Sequence, residues 1–383
     1  MKIAWVMTNF DPSNPEKFPY GIAWYIIHHL KNLGHEVRLI GDFSVPFSSF
    51  YKFKQFCYNL FSTKKYLRHR ELKIFKHFAK LTDYSLLNDN YDCILSFGSL
   101  PISMLQTDIP IFFWADATFD GLVNYYPEYS NLTKRTYKNG RYLEQSALDK
   151  CSVAFFSSEW AKETALKYYN CNEDKLFVVP FGANIPDTQS SIVNELINSK
   201  SFDTINFLFN GRDWRRKNGK QAVEIVKILN NRNIKSKLNV IGVDKIDGED
   251  YENVIFHGFI SKNSEYGRKR LNEIFQNNHF LLHLPLQDCT PHALNEANAY
   301  GIPCIVTNTG GISSIIKQNV NGMIYDLPLN TKKIADDIID IINGSDTYLK
   351  LAKSSYDEYR KHLNWEVNVK KLVEIIENKL EIK

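Results

Sequence analysis

Segments that read as β-strands alternate with segments that read as α-helices along most of this chain, and this alternation restricts the folds it can adopt. Short apolar runs bounded by turn residues predict strands, and apolar residues three or four apart predict helices. Such alternation indicates βαβ units and parallel sheets. In the first half it predicts strands at 2–7, 36–40, 93–96, 111–114, 153–157 and 176–180, with helices at 22–33, 66–87, 138–148 and 159–169.

The alternation stops after residue 184 and restarts at residue 205, which indicates two domains. The intervening residues are polar and weakly periodic, so we interpret 183–204 as a linker with room for one short helix. The first domain is then 1–182 and the second 205–363. In the second half the pattern predicts strands at 205–209, 238–241, 254–257, 280–284, 302–306 and 323–325, helices at 219–230, 265–275, 291–300, 312–317 and 331–342, and only helices after residue 348.

Composition excludes several classes of protein. The formal net charge of +4 over 383 residues is too small to indicate a nucleic-acid partner. Six scattered cysteines without a CxxC pair fit free thiols in a reducing compartment. The apolar start of the chain is too short for a signal peptide, and no apolar run reaches the length of a transmembrane helix. These features predict a cytoplasmic protein.

Two carboxylates flank a predicted helix start in the second half. Asp288 precedes Cys289, Thr290 and Pro291, a sequence that suits a helix N-terminus, and Glu296 follows on the second turn. The N–H groups of a helix start favour a phosphate, and carboxylates accept hydrogen bonds from sugar hydroxyls. The alternative is that Asp288 only caps the helix and Glu296 is solvated.

A basic loop follows the first predicted strand of the second half. Arg212, Arg215, Arg216 and Lys217 lie where open α/β sheets bind ligands, and their charges suit a diphosphate. The alternative is a solvated basic turn.

Two loops of the first half carry weaker signals. Gly21 opens the first helix and would let backbone approach a phosphate. Asp116 follows a predicted strand, where it faces a ligand or caps the next turn. The G-x-G-x-x-G fingerprint is absent from this region, which argues against an NAD dehydrogenase.

Residues 51–80 are basic and aromatic. They contain nine lysines or arginines and a single acidic residue, Glu71. Such a stretch suits an anionic membrane surface or an acidic acceptor. The alternative is a solvated helix whose aromatic side chains enter the core.

No metal site is expected. Neither half contains a convincing D-x-D motif. His279 and His283 lie on one predicted strand, where residues four apart are separated by about 13 Å.

Several of these segments resemble glycosyltransferase family 4. The resemblance covers most of the chain and is most specific at 207–217, 178–184 and 288–306, the last being similar to the E-x7-E signature and the strand after it. Gly21 and residues 157–161 are similar to motifs of the family's first domain. The resemblance implies the GT-B fold of two facing Rossmann-like domains. It also implies that the C-terminal helix, 364–383, crosses back to the first domain through Trp365, Val369, Leu372, Val373 and Ile376.

The resemblance also implies roles for individual residues. Glu296 would bind the ribose of a nucleotide sugar, Asp288 the hydroxyls of the transferred sugar, and Lys217 the diphosphate. Asp288 is one methylene shorter than the usual Glu, and the compressed spacing leaves Arg212 and Arg216 as alternatives for the second diphosphate contact. Asp116 stands where many members carry a histidine. The expected catalytic residues are Asp116, Asp288 and Lys217; the expected donor-binding residues are Gly21, Arg212, Arg216, Lys217, Ile260, Asp288, Cys289, Thr290 and Glu296.

The function implied by the resemblance is that of a retaining, metal-independent hexosyltransferase. It would use a UDP- or GDP-sugar and no cofactor, and extend a glycan or lipid-linked acceptor bound by the first domain, in cell-surface polysaccharide synthesis. Its partners would be donor, acceptor and, through 51–80, the inner face of the membrane; no nucleic acid is expected. The alternatives are a nucleotide-sugar epimerase or phosphorylase on the same scaffold, and a non-catalytic nucleotide-sugar-binding protein.

Overall fold

Two parallel six-stranded sheets organise the chain in the computed structural model, which describes residues 1–8, 21–41, 43, 48–186, 190–246, 251–344 and 346–381. The first unit comprises Met1–Pro180 and Asn368–Lys383, and the second comprises Phe181–Val367. Each unit is an α/β layer structure with its own sheet. This confirms the predicted α/β class with two Rossmann-like domains.

The first sheet has the strand order β2-β1-β3-β4-β5-β6. Its strands are β1 (Lys2–Met7), β2 (Glu36–Gly41), β3 (Cys93–Phe97), β4 (Ile111–Ala115), β5 (Val153–Phe156) and β6 (Leu176–Val178). The helices among them are α1 (Ile22–Asn32), α2 (Ser48–Phe61), α3 (Leu72–Leu86), α4 (Phe119–Leu122), α5 (Lys134–Lys150) and α6 (Glu159–Tyr168).

The second sheet has the strand order β12-β11-β10-β7-β8-β9. Its strands are β7 (Ile205–Asn210), β8 (Ser236–Ile241), β9 (Val254–Phe256), β10 (Phe280–His283), β11 (Cys304–Thr307) and β12 (Gly322–Tyr325). The remaining helices are α7 (Ser190–Asn198), α8 (Gly219–Asn231), α9 (Glu265–Gln276), α10 (His292–Ala299), α11 (Thr331–Asn343), α12 (Thr347–His362) and α13 (Trp365–Leu380).

The segment predicted as a linker is part of the second unit. It contains α7, whose Val193 and Ile197 are buried in the core of that unit together with Ile205 and Phe207. The prediction placed 183–204 outside both domains because only two side chains of α7 are buried, and the other residues of the helix are half-buried or exposed.

Other helices also differ from the prediction: α5 begins at Lys134 and not at residue 138, and α4 was not predicted. The helix predicted over 66–87 is α3, which begins only at Leu72 after a short turn at Arg68–Arg70, while α2 precedes it unpredicted. The helix predicted over 312–317 is a single turn at Ile312–Ser314.

Helix α13 begins in the second unit and continues into the first. Trp365 belongs to the second unit, where its ring packs on Phe181, whereas the residues from Asn368 onward belong to the first. Val369, Leu372, Val373 and Ile376 are all buried. None of the helices among the described residues combines the length and the apolar character that crossing a bilayer requires.

Candidate functional site in the second unit

The strand order of the second sheet creates a switch point between β7 and β10. From β7 the chain proceeds outward to β8 and β9, and then returns to the other side of β7 with β10. The loops after two such strands diverge and leave a crevice at the carboxyl edge of the sheet, where open α/β sheets bind ligands. The loop after β7 carries Arg212, Arg216 and Lys217, and the loop after β10 carries Asp288.

Asp288 is the centre of a charged cluster in this crevice. The Nζ of Lys217 lies 2.5 Å from Asp288 Oδ2, and the Nε2 of His283 lies 3.2 Å from the same oxygen. The Nη1 of Arg216 is 3.7 Å from Asp288 Oδ2 and donates to the Gln287 carbonyl at 2.7 Å. The structure therefore brings together Asp288, Lys217 and Arg216, three of the predicted site residues.

The cluster is nearly closed to solvent, and its charges depend on one another. Burial opposes the charge on Asp288, but Lys217 and His283 outweigh this effect and hold the pKa of Asp288 below its usual range. Burial lowers the pKa of Lys217, against the attraction of Asp288. Burial and the nearby Lys217 lower the pKa of His283 to about 4, so His283 is neutral near pH 7.

Glu296 forms a second ion pair on α10. Lys262 Nζ lies 2.5 Å from Glu296 Oε1 and also donates to the Asn184 carbonyl at 3.1 Å. Asn210, the last residue of β7, donates from Nδ2 to Glu296 Oε2 at 3.4 Å. Glu296 is 3% exposed. The alternative of a solvated Glu296 is therefore wrong.

The start of α10 differs from the prediction by one position. The helix begins at His292 and Pro291 occupies the N-cap position, with φ −74° and ψ 116°, so Thr290 lies before the cap. The Cys289 carbonyl accepts from the Gly311 N–H at 2.8 Å. Cys289 and Thr290 are both buried next to Asp288.

Helix α10 also anchors the segment at the start of the second unit. The Nδ1 of His292 donates to the Gly182 carbonyl at 3.1 Å, and Asn295 Nδ2 donates to the Phe181 carbonyl at 2.7 Å. The imidazole of His292 stacks on Phe181, with ring centroids 5.5 Å apart. The segment at 181–184, which carries part of the family resemblance, is thus fixed to the helix that carries Glu296.

The other predicted residues of the second unit lie at the edge of this cluster. Arg212 is exposed, and its guanidinium lies 4.6 Å from the centre of the Phe259 ring. Ile260, the next residue, is half-buried and packs against the core. Arg216, with its hydrogen bond to the Gln287 carbonyl, is the more firmly placed of the two alternative arginines.

Gly21 and Asp116 belong to the first unit. Gly21 precedes α1 with φ +83°, a left-handed conformation that favours glycine. The preceding residues of its loop, 9–20, lie outside the described residues. Asp116 follows β4 at the carboxyl edge of the first sheet and is exposed.

Three polar residues next to the predicted ones were missed by the sequence interpretation. His283 was considered only as a metal ligand, although its position at the end of a strand facing the crevice indicates a site residue. Lys262 and Asn210 each contact Glu296, but their distance of 34 and 86 residues from it hides this in the sequence. Within the described ranges, no group of three His, Cys, Asp or Glu side chains is placed to hold a metal ion.

A second buried polar group lies at the carboxyl edge of the first sheet. Ser99 Oγ donates to Glu144 Oε2 at 2.9 Å, and the Phe119 N–H donates to the same oxygen at 3.3 Å. Arg70 is 6% exposed and lies 5.1 Å from the Phe119 ring centre. Burial raises the pKa of Glu144 to about 7.

Comparisons with known proteins agree with this architecture. Residues 195–358, which lie within the second unit, match the family model for glycosyl transferases group 1. A segment of 82 residues is 32% identical to spore coat protein SA of Bacillus subtilis (strain 168). That segment covers 21% of this chain and spans only 22% of that relative.

Solved glycosyltransferase structures share the fold over the whole chain. A glycosyltransferase from Rickettsia africae ESF-5 is 15% identical, with a TM-score of 0.68 over 100% of this chain and 99% of its own. Anabaena Alr3699/HepE in complex with UDP is 14% identical, with a TM-score of 0.63 over 99% of this chain and 100% of its own. WaaG, a glycosyltransferase involved in lipopolysaccharide biosynthesis, is 16% identical, with a TM-score of 0.64 over 98% of this chain and 99% of its own. The chain thus has the GT-B fold, and its second unit carries the group 1 match.

Proposed function

We propose that this protein is a retaining glycosyltransferase that moves a hexose from a UDP- or GDP-sugar to a glycan or lipid-linked acceptor. The observation that carries the proposal is the cluster of Lys217, Arg216 and Asp288 at the β7/β10 switch point, within the segment that matches the group 1 model. The complex of the Anabaena relative with UDP and the role of WaaG in lipopolysaccharide biosynthesis support a nucleotide-sugar donor and a surface-glycan product.

The charges of the cluster suit a departing diphosphate. A transferase of this kind must stabilise negative charge on the leaving group, and preorganised cations in a poorly solvated site do this most effectively. Lys217 is fixed by Asp288 before any ligand binds, and Arg216 is fixed by the Gln287 carbonyl. We assign the diphosphate to these two cations, which need no metal ion, and to the N–H groups at the start of α10.

The proposed step is a front-face substitution at the anomeric carbon. The bond from the anomeric carbon to the diphosphate oxygen breaks, and the acceptor hydroxyl oxygen bonds to the same face of that carbon. The leaving phosphate takes the hydroxyl proton. Asp288 contacts the hydroxyls of the transferred sugar and Glu296 those of the ribose, where the ribose replaces the Lys262 ammonium as partner. Ile260, Cys289 and Thr290 complete the donor site of the second unit, and Gly21 of the first unit stays a predicted donor contact.

We assign the acceptor to the first domain and place the protein in the cytoplasm, at the inner face of the cell membrane. Asp116, at the carboxyl edge of the first sheet, positions the acceptor or the sugar. Asp116→Ala should therefore lower turnover at least tenfold and leave donor binding within about twofold. The exposed Asp108 provides the matched control Asp108→Ala. Equal turnover of wild type and Asp116→Ala would remove Asp116 from the mechanism.

Product analysis tests the proposed reaction. A panel of UDP-, GDP- and ADP-hexoses is incubated with glycan and lipid-linked acceptors, and nucleoside diphosphate release and the anomeric configuration of the product are measured. Acceptor-dependent release with a retained anomer is expected. An epimerised donor without acceptor would indicate an epimerase, and a requirement for inorganic phosphate would indicate a phosphorylase. Donor binding without any turnover would indicate a non-catalytic binding protein.

A further inference from the structure

Helix α2 exposes a row of large apolar side chains. Phe50, Phe53, Phe56, Leu60 and Phe61 are 60%, 65%, 59%, 60% and 80% exposed. Solvent-facing apolar groups of this size in one place mark an interaction surface rather than ordinary surface scatter. We call these five residues the α2 stripe.

The α2 stripe is a continuous face of the helix. Phe50, Phe53, Phe56 and Leu60 follow one another at spacings of three, three and four, which align side chains along one side of an α-helix. The opposite side of α2 already packs on the protein through the buried Tyr51 and the half-buried Tyr58, whose ring stacks on Tyr66. The helix is therefore apolar on two sides. The side with Tyr51 and Tyr58 packs on the protein, and the α2 stripe faces solvent.

The charge around the α2 stripe is positive. Lys52 and Lys64 are exposed, and no acidic residue occurs between Ser49 and Arg70. The nearest carboxylate, Glu71, is 1% exposed and is paired with Lys54 at 3.2 Å and Arg135 at 2.6 Å. An approaching surface therefore meets apolar rings and lysines but no accessible negative charge on this helix.

The part of α3 that lies within 51–80 does not expose its aromatic side chains. Phe75 and Phe78 are 4% and 3% exposed, and Tyr66 before the helix is 2% exposed. For α3 the alternative interpretation, aromatic side chains in the core, is therefore the correct one. The candidate membrane-binding surface is therefore not the whole stretch 51–80 but only α2 and its flanking lysines.

We propose that the α2 stripe inserts into the surface of an anionic lipid bilayer, with the phenylalanines at the boundary of headgroups and acyl chains. Lys52 and Lys64 would contact the lipid phosphates. Aromatic residues on an apolar face, with lysines beside it and no acids, are the pattern of helices that lie in this interface. This deepens the membrane location proposed above, because it names the surface that would bind the membrane. The proposal does not depend on whether the chain transfers a sugar.

Vesicle co-sedimentation of the full chain, without donor, tests the proposal. The expected result is binding to vesicles of phosphatidylglycerol and phosphatidylcholine that weakens with added salt, and little binding to phosphatidylcholine alone. Phe53→Ser/Phe56→Ser and Lys52→Glu/Lys64→Glu should each weaken binding at least tenfold. All four positions are at the surface, so both variants should keep the circular dichroism and Tm of the wild type.

Matched surface variants provide the controls. Tyr142→Ser/Tyr266→Ser removes two exposed aromatic side chains elsewhere, and Lys332→Glu/Lys361→Glu inverts two exposed lysines elsewhere. Both should bind vesicles as the wild type does. The proposal is overturned by equal binding of α2 variants and controls, or by binding that ignores lipid charge. It is also overturned if the α2 stripe holds two copies of the chain together, which sedimentation of wild type and Phe53→Ser/Phe56→Ser would reveal. Donor binding, measured separately, decides the proposed function.

Discussion

At the scale of the residue, Asp288 is the side chain on which the proposed donor site depends. Its Oδ2 accepts from Lys217 and His283, so removing one partner shifts the pKa of the others. The family resemblance identified Asp288, Lys217 and Glu296 from local motifs. It did not identify His283 or Lys262, because the partner of a charged residue is decided by the packing of distant segments.

Lys217→Met tests the coupling within this cluster. Lys217 is one of the causes that hold the pKa of His283 near 4, whereas Asp288 acts in the opposite direction. Without the lysine the remaining attraction of Asp288 should raise the pKa of His283 above 4. An NMR titration of the imidazole measures this, with the exposed Lys350→Met as control. An unchanged pKa would contradict the close contact of the three side chains.

Glu144→Gln tests the buried carboxyl of the first unit. Burial raises the pKa of Glu144 from its usual 4.5 to about 7. Between these values the unfolded chain has lost the proton that the folded chain still holds, so the contribution of Glu144 to stability falls as pH rises from 4.5 to 7. The difference in unfolding free energy between wild type and Glu144→Gln should therefore fall by about 2.5 kcal/mol over that range.

Denaturant unfolding at several pH values measures this difference. The exposed Glu163→Gln should show no such slope. A difference that rises with pH would mean that Arg70 or another cation keeps Glu144 ionised in the folded protein.

At the scale of the element, strands were predicted more accurately than helices. All twelve predicted strands correspond to strands of the structure, because buried parallel strands are short apolar runs with sharp ends. Helix α2 was missed because it is apolar on two sides, through the α2 stripe and through Tyr51 and Tyr58, so the pattern does not have the single apolar face of a typical surface helix. The linker was misassigned for the opposite reason, since α7 buries only Val193 and Ile197.

Gly140→Ala tests the packing of α5 against Phe119, the first residue of α4. A Cβ at Gly140 would overlap the ring of Phe119, which is itself 1% exposed and cannot swing into solvent. Alanine normally stabilises a helix interior by up to about 1 kcal/mol relative to glycine. Here overpacking should outweigh this gain and destabilise the protein by about 1–3 kcal/mol. Thermal unfolding measures the effect.

The exposed Lys138 on the same helix supplies the control. Lys138→Ala should change stability by less than about 0.5 kcal/mol. If Gly140→Ala were as stable as the wild type or more stable, Phe119 would not pack on α5 as described.

At the scale of the whole molecule, the chain forms two Rossmann-like units. The end of α13 returns from the second unit to the first. The sequence resemblance predicted this return to the first unit. It placed the start of the returning segment at 364, whereas the first unit takes up the chain again at Asn368, because Trp365 packs on Phe181 in the second unit. The sequence also predicted that Lys217 and Asp288 lie at one edge of the second sheet, since the loops that follow parallel strands share that edge.

Donor binding tests directly whether the crevice at the β7/β10 switch point holds a nucleotide sugar. Thermal shift across UDP-, GDP- and ADP-sugars is compared for wild type, Glu296→Ala and Lys217→Ala, with the exposed Glu195→Ala and Lys350→Ala as matched controls. A selective stabilisation of wild type and both controls, lost in Glu296→Ala and Lys217→Ala, is the predicted result. No stabilisation by any donor, or one that survives both site variants, would contradict a nucleotide-sugar site at the β7/β10 switch point.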